Sequence, residues 1–492
     1  MAEPIPIQLG RGTNKGRHGQ EGAAALVNCY VERLGEAGKV EWPIYAINGF
    51  DSFATLGGSS TADVRAMLAL DTLVLVVAGT GLYSTNESGS PVNTVGGVLS
   101  DGFVTMARNR RSPNPQVVIV CSGLWFVYQN GVVAQGSDTD LPPPSVVVEI
   151  DGFFVFLISD GRWFISAIDD TTIDALDFTE AQSSPDENVM AAVRGRELII
   201  MGKRSLEFYV DNAGSEDFPF TRIQTASIGC FAAGSVQKVI AQAGSAVDTV
   251  IWAATDHKGS YAGIMVLDGY SGRKISTPEV DRLILAETSP SSIRSMSWTE
   301  DGHAFYAISG TNFTKVFDTM FLGSPEAGWH DRKSYGLTRW RAQCHAQIGQ
   351  THIFGDYATN KLYKSNKATY SEPAGPIVSE VVTPPVHMFP HPFVLDALYI
   401  DALTGVGINS TTASDASPKL MLDYSDDGGA SFGGERMVDL GADAQRHVSI
   451  RETEFGLFGA NGVSFRMRCS AAVVKGLLGA SVMVRKLGTR AA

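Results

Sequence analysis

The sequence predicts an all-β protein: an irregular β-propeller, with a platform built from the N-terminal segment and a C-terminal β-sandwich-like module. Three observations carry that expectation. Strand-turn-strand units recur along most of the chain, no strong helical stretch separates them, and beyond Tyr370 the texture changes to proline-rich links between new strands. Unit starts are spaced by roughly 36 to 54 residues, the range in which one supersecondary unit per repeat builds propellers or solenoids. Without crossover helices a parallel α/β sheet is disfavoured, which leaves a closed ring of antiparallel blades, or a pair of stacked sandwiches as the alternative.

The clearest unit runs from Arg194 to Tyr209, R-G-R-E-L-I-I-M-G-K-R-S-L-E-F-Y. Leu198 to Met201 form an apolar run of strand length, 202–205 suit a turn, and Leu206, Phe208 and Val210 alternate with Glu207 and Tyr209. This predicts a hairpin with one half-buried arm, which needs neighbours because a lone hairpin is marginal in water. Similar pairs start at Leu73, Val117, Phe153, Val250, Phe305 and Ile353. The repeated pairs assign the propeller to residues 56–375, with Pro142-Pro143-Pro144 as a link between blades, since no central strand tolerates three prolines.

Residues 1–55 lack the repeat and are assigned to an arm and platform segment. Gly10 to Gly16 reads as a flexible arm. The segment from Leu26 to Leu34 stays open: Val27, Cys29 and Val31 alternate as in a strand, whereas Leu26, Tyr30 and Leu34 fit a helical face. Residues 376–492 form the C-terminal module, where Val394 to Ile400, Leu420 to Tyr424, Ser464 to Met467 and Ala480 to Val484 read as strands.

Composition sets limits. At 492 residues the chain exceeds one core, and 18% charged with 44% hydrophobic residues describes an ordered, turn-rich protein. Its apolar runs fall short of the roughly 20 residues of a membrane helix, and the N-terminus has no signal-peptide pattern, so the expectation is a soluble, unexported protein. Five dispersed cysteines fit buried thiols in a reducing compartment. A net charge of −13 argues against wrapping nucleic acid, although both ends are basic and suggest a shared partner-facing surface.

Ser425, Asp427, Gly429, Ser431 and Phe432 fit an Asp-box turn, in which Asp and Ser side chains bond nearby backbone and the aromatic packs beneath. The box resembles those of sialidases, which makes a glycan hydrolase the rival function; a monomeric receptor-binding propeller is a third reading. His387 and His391 are four apart, but Pro390 and Pro392 exclude a helix presenting both to a metal. Cys344 and His345 are adjacent and on a strand face opposite ways, against a thiol-base pair. Trp340, between Arg339 and Arg341, suits either base stacking or an exposed strand edge. Phosphate-loop, zinc-protease and nucleophile-elbow motifs are absent. The reading is of a non-enzyme with no catalytic, cofactor or metal residues.

Taken end to end, the sequence resembles the packaged-DNA stabilisation, or tail-hub, proteins of short-tailed bacteriophages. The residues carrying this are Asn28 to Glu32; Asp174 to Phe178 with Ala181, Ser184, Pro185 and Asp186; Gly202 to Glu207; and Asp217 to Gln224. Gly269-Tyr270, Ile275 to Thr277, Asp301 to Tyr306, Trp329 to Arg332, Gly355 to Tyr357, Leu362-Tyr363 and Tyr424 to Gly429 complete the set. The resemblance implies a structural virion protein, assembled in the host cytoplasm as a hexameric ring beneath the portal and its adaptor. Such a ring closes the DNA-filled head, forms part of the ejection channel, and docks tailspikes or fibres and a plug or needle protein. Arg11, Lys15 and Arg17 are then expected to face the adaptor, and the lumen to be neutral to acidic, passing genomic DNA without sequence-specific binding.

Overall fold

A computed structural model of the chain describes residues 4–97, 100–180, 186–212, 218–241 and 247–486. Ala181, Ser184, Pro185 and Asp217 of the family-like residues lie outside them.

Among the described residues seven blades surround one axis. Blades 1 to 4 span 64–97, 104–135, 146–180 and 188–226, each a four-stranded antiparallel sheet in sequence order; blade 5 spans 229–274 and blade 6 294–331. Each hairpin read from the sequence is the second and third strand of a blade, from Leu73–Ala78 with Gly81–Asn86 to Thr351–Asp356 with Lys361–Asn366. The sequence did not give their number, because the first and fourth strands carry weaker patterns.

Blade 7 combines the three strands of 342–366 with Gly49–Thr55, whose register pairs Lys361 with Thr55 and Asn366 with Gly49. The boundary at 55 therefore moves: this strand belongs to the propeller, and without it the edge of Lys361–Asn366 would be unpaired. Joining strands from two ends of the chain in one blade also closes the ring.

Burial within the blades is two-sided. Leu198, Ile199, Ile200 and Met201 are all at most 1% exposed, and Glu207 and Tyr209, expected on a wet face, are buried as well. Neighbouring blades cover both faces, so the half-buried arm of the sequence reading is corrected. Glu207 is tolerated there because the Tyr209 hydroxyl donates to its carboxylate at 2.5 Å and Arg222 lies 3.3 Å away.

The platform is a sandwich of two sheets. One contains Cys29–Val31, Ile44–Ala46, Gly476–Lys486, Phe393–Ala402 and Ile450–Phe458, with Ile5–Ile7 paired to Gly476–Lys486. The other continues blade 6: its outer strand Trp329–Asp331 pairs in parallel with Ala25–Val27, which leads through Ser379–Val382, Ser464–Cys469 and Lys419–Ser425 to Gly433–Asp439. Leu26, Val31, Leu398, Phe465, Met467 and Val482 fill the space between. Platform and propeller thus share one nine-stranded sheet.

Asn28 makes the step between the two sheets. Ala25–Val27 and Cys29–Val31 are both strands, which settles the Leu26 to Leu34 ambiguity, and Asn28 between them is left-handed with φ 53°. Asn accepts that conformation better than most residues. Its buried amide donates to the carbonyls of Lys333 and Val378, each at 2.9 Å, and its oxygen accepts from the Lys333 amide at 2.9 Å.

Candidate functional site

The residues that sequence reasoning assigned to partners gather where the arm crosses blade 6 and the platform. Thr13 fastens the arm: it is fully buried, its amide donates to the Trp329 carbonyl at 2.6 Å, and its hydroxyl exchanges hydrogen bonds with the Leu26 backbone. At Gly12 a Cβ would stand 2.8 Å from the Ala327 carbonyl oxygen, so only glycine allows the arm to lie this close. The Lys15 amide donates to Glu279 at 2.8 Å and its carbonyl accepts from Arg282 at 2.5 Å, while the Arg17 amide donates to Glu21 at 2.9 Å. The flexible arm of the sequence reading is therefore laid down and fixed, with the side chains of Arg11, Lys15 and Arg17 exposed.

Glu279 belongs to the helix Pro278–Leu285, started by Pro278 at its first turn and capped by the Thr277 side chain. Its other oxygen meets Lys315 at 2.9 Å, and Lys315 also reaches Asp331 at 2.9 Å. Lys315 is 1% exposed; burial alone would lower its ammonium, but Asp331 and Glu279 hold it above the usual lysine value. One buried cation thus ties blade 6, the helix and, through Glu279, the arm.

The Asp box forms the other support of the arm. Asp427 accepts from the Ser425 hydroxyl at 2.7 Å, from the Ser431 amide at 3.0 Å and from the Ser431 hydroxyl at 2.5 Å, and the Gly429 amide donates to Ser425 at 2.7 Å. These bonds, led by that of the Ser431 hydroxyl, hold the Asp427 carboxyl well below the usual carboxylate range. Phe432 is half-buried under the Arg466 guanidinium, 4.2 Å from its ring centroid. A Cβ on Gly428 would touch the Gly19 backbone and one on Gly429 the Ala23 methyl, so the turn serves as a seat for the arm.

A cleft of about 1040 Å³ opens between arm, platform and the 320–327 loop of blade 6. Trp42 lines it, with the Arg11 guanidinium 4.4 Å and the Arg33 guanidinium 5.5 Å from its ring centroid and Phe321 at 5.7 Å. Among the described residues neither arginine has a carboxylate partner, and the buried Trp42 Nε1 has no hydrogen-bond partner. Sequence reasoning missed Arg33 and Trp42, since their meeting with Arg11 depends on two sheets and a loop. Among the described residues several bases of the C-terminal module are, by contrast, held internally: Arg466 and Arg468 pair with Asp423, Arg485 pairs with Asp396, and buried Lys475 donates to the Ile377 and Ala471 carbonyls. Arg466, Arg468 and Arg485 are thus not free for the shared basic surface with the arm that charge counting suggested.

The rival chemistries find no constellation among the described residues. Cys344 and His345 diverge, the thiol to the Val64 carbonyl and the imidazole to His352 at 3.0 Å. Burial pushes the thiol up to about 12, so it stays protonated at neutral pH, and the imidazole down to about 3, which leaves it a weak proton acceptor. Trp340 is 1% exposed, neither a base platform nor an edge residue, because Phe50 of the closing strand stacks on it at 5.4 Å. His387 and His391 belong to no metal-binding group. The propeller channel, about 830 Å³, is lined by the inner strands, including Arg65, Arg108, Arg110, Glu149 and Arg294. Its cations are committed: Arg108 to Asp71, Arg110 to Glu149 and Asp151, Arg65 and Arg294 to backbone carbonyls. Among the described residues no tyrosine lines it to act as a sialidase nucleophile.

The fold is a β-propeller that presents a structured arm and platform, and the family it matches makes it a structural protein of a bacteriophage. The chain belongs to the bacteriophage P22 Gp10 β-propeller family of phage stabilisation proteins, whose profile matches residues 9–370. Membership implies a virion component. No curated protein matches the chain. Similar solved structures include the computationally designed Ika8 protein (10% identity, TM-score 0.39, 64% of this chain and 99% of that one). The WD40 β-propeller domain of Doa1 (12%, 0.40, 64% and 96%) and a chain of the Mitotic Checkpoint Complex (10%, 0.40, 64% and 94%) are others.

Proposed function

We propose that this protein is the tail hub of a short-tailed phage, a hexameric ring bound beneath the portal adaptor. It closes the filled head, forms part of the ejection channel and carries tailspikes or fibres and a plug protein. The observation that carries the reading is membership of the phage stabilisation family over 9–370. Channel size supports its ring form. One turn of duplex, about 34 Å long and some 20 Å across, occupies on the order of 10,000 Å³, against about 830 Å³ inside the propeller. On the tail-hub reading DNA passes between copies of the chain, not through one.

The arm and platform form the adaptor-facing end, with Arg11, Lys15 and Arg17 toward the adaptor. The net charge of −13 keeps the shared lumen neutral to acidic, so that DNA slides without the counterion-releasing contacts that would hold it. Duplex binding by the assembled ring at low salt tests this: weak binding is expected, and micromolar affinity with a steep salt slope would overturn it. Enzymatic glycan cleavage is not part of the reading, and turnover of a sialoside or bacterial polysaccharide would refute it.

A further inference from the structure

The cleft around Trp42 brings two guanidiniums over one indole ring. Acids outnumber bases in this chain, 52 to 39, and other arginines such as Arg108, Arg466, Arg468 and Arg485 have found carboxylates. Arg11 and Arg33 have not, although both lie over one indole ring. The π face attracts each cation, yet bringing two guanidiniums to one ring sets like charges against each other. A carboxylate between them relieves that repulsion and accepts from two planar forks of donors.

The floor selects what accompanies the carboxylate. Phe321, Met320, Val40 and Leu478 line the cleft beside Trp42, and Glu326 is its single carboxylate among the described residues. These apolar side chains, set among the polar Gln8, Asn14 and Ser324 and beside two unpaired cations, fit an extended peptide carrying an acid next to an apolar side chain. They do not fit duplex DNA, which is gripped by rows of cations along its phosphates. The volume, about 1040 Å³, lies just above the ~300–1000 Å³ range of ligand pockets, room for a few residues of extended chain.

We infer that this cleft is a docking site for an acidic-apolar peptide segment of the adaptor, its carboxylate bridging Arg11 and Arg33 and its apolar side chain resting on Trp42 and Phe321. The identity of the partner rests on the tail-hub reading; the peptide chemistry rests on the cleft alone. Arg33 and Trp42 then join Arg11 as specificity determinants, while the arm backbone, fixed through Thr13 and Gly12, holds one wall of the cleft in place.

Two measurements test the two layers separately. In the first, full-length protein is titrated with a short peptide of alternating Glu and Leu while tryptophan fluorescence is followed. The same titration is run with the Gln-Leu counterpart, with a 20-base-pair duplex, and with the variants R11Q/R33Q and W42F. Saturable change with Glu-Leu, at least tenfold weaker in R11Q/R33Q and absent in W42F, is expected. No saturable change, equal binding of the Gln-Leu peptide, or preference for the duplex would overturn the peptide chemistry. A thermal melt of R11Q/R33Q, expected within about 1 °C of wild type because both arginines are exposed, separates lost docking from lost folding. In the second, wild type and R11Q/R33Q are mixed with the adaptor ring of the same phage. Assembly of wild type with at least tenfold weaker assembly of the double variant is expected. Equal assembly of both would overturn adaptor docking at this cleft, whereas failure of wild type to assemble would refute the tail-hub reading and leave the peptide result standing.

Discussion

Replacing Asn28 with alanine should loosen platform from propeller. Three side-chain hydrogen bonds of 2.9 Å vanish, leaving the Lys333 and Val378 carbonyls and the Lys333 amide to seek other partners at a site 2% exposed. At about 1 kcal/mol per bond the loss is about 3 kcal/mol, and holding alanine at φ 53° adds about 1 kcal/mol. Unfolding entropy of about 2.1 cal/mol/K per residue makes 1 kcal/mol worth about 1 °C for 492 residues melting as one unit. Asn28→Ala should therefore melt about 4 °C lower by scanning calorimetry, and Asn28→Gly about 3 °C lower, because glycine accepts the backbone and loses only the bonds. If platform and propeller melt separately, the shift should fall on the platform transition and be larger. A shift of Asn28→Ala below 1 °C, or Asn28→Gly matching or exceeding it, would refute the assignment of Asn28 as the hinge between the sheets.

Lys315→Met removes the cation between Glu279 and Asp331, both largely buried, and should cost about 3–5 kcal/mol, with recovery when Glu279→Gln and Asp331→Asn are added; calorimetry of the single and triple variants checks this. His303, 2.6 Å from Asp318, would be lowered by burial but is raised overall by that hydrogen bond and charge. Its stabilisation is full below the unfolded value of about 6.5 and fades as pH rises through the folded value, so His303→Asn should lower the melting temperature more at pH 6 than at pH 8. Asp427→Ala should free the arm from its seat, seen as faster tryptic cleavage after Arg11, Lys15 or Arg17 with the propeller left intact; unchanged cleavage would show that the turn does not support the arm.

Much of the propeller was legible because the middle strands of a blade are continuous apolar runs separated by tight turns, as at Leu198 to Met201. The closing strand was not: Gly49–Thr55, G-F-D-S-F-A-T, has an outer face toward solvent and a partner more than 300 residues away, so no local pattern distinguishes it from the arm. Asn28 explains the ambiguity that follows it. A left-handed residue between two three-residue strands breaks the period-two alternation and imitates a helical face. The Asp box was legible as a turn because its bonds are local, whereas its role as a seat for Gly19 and Ala23 depends on residues some 400 positions away. Net charge misled at the C-terminus, because Arg466, Arg468 and Arg485 find their carboxylates only when strands pair.

The central claim is that this family member works as one copy in a ring assembled on the portal adaptor. Native mass measurement of the purified protein, alone and after mixing with the adaptor ring of the same phage, tests it most directly. A single species carrying six copies of the 52.5 kDa chain on each adaptor ring is expected. A chain that stays monomeric in the presence of the adaptor, or binds it in a number other than six, would contradict it.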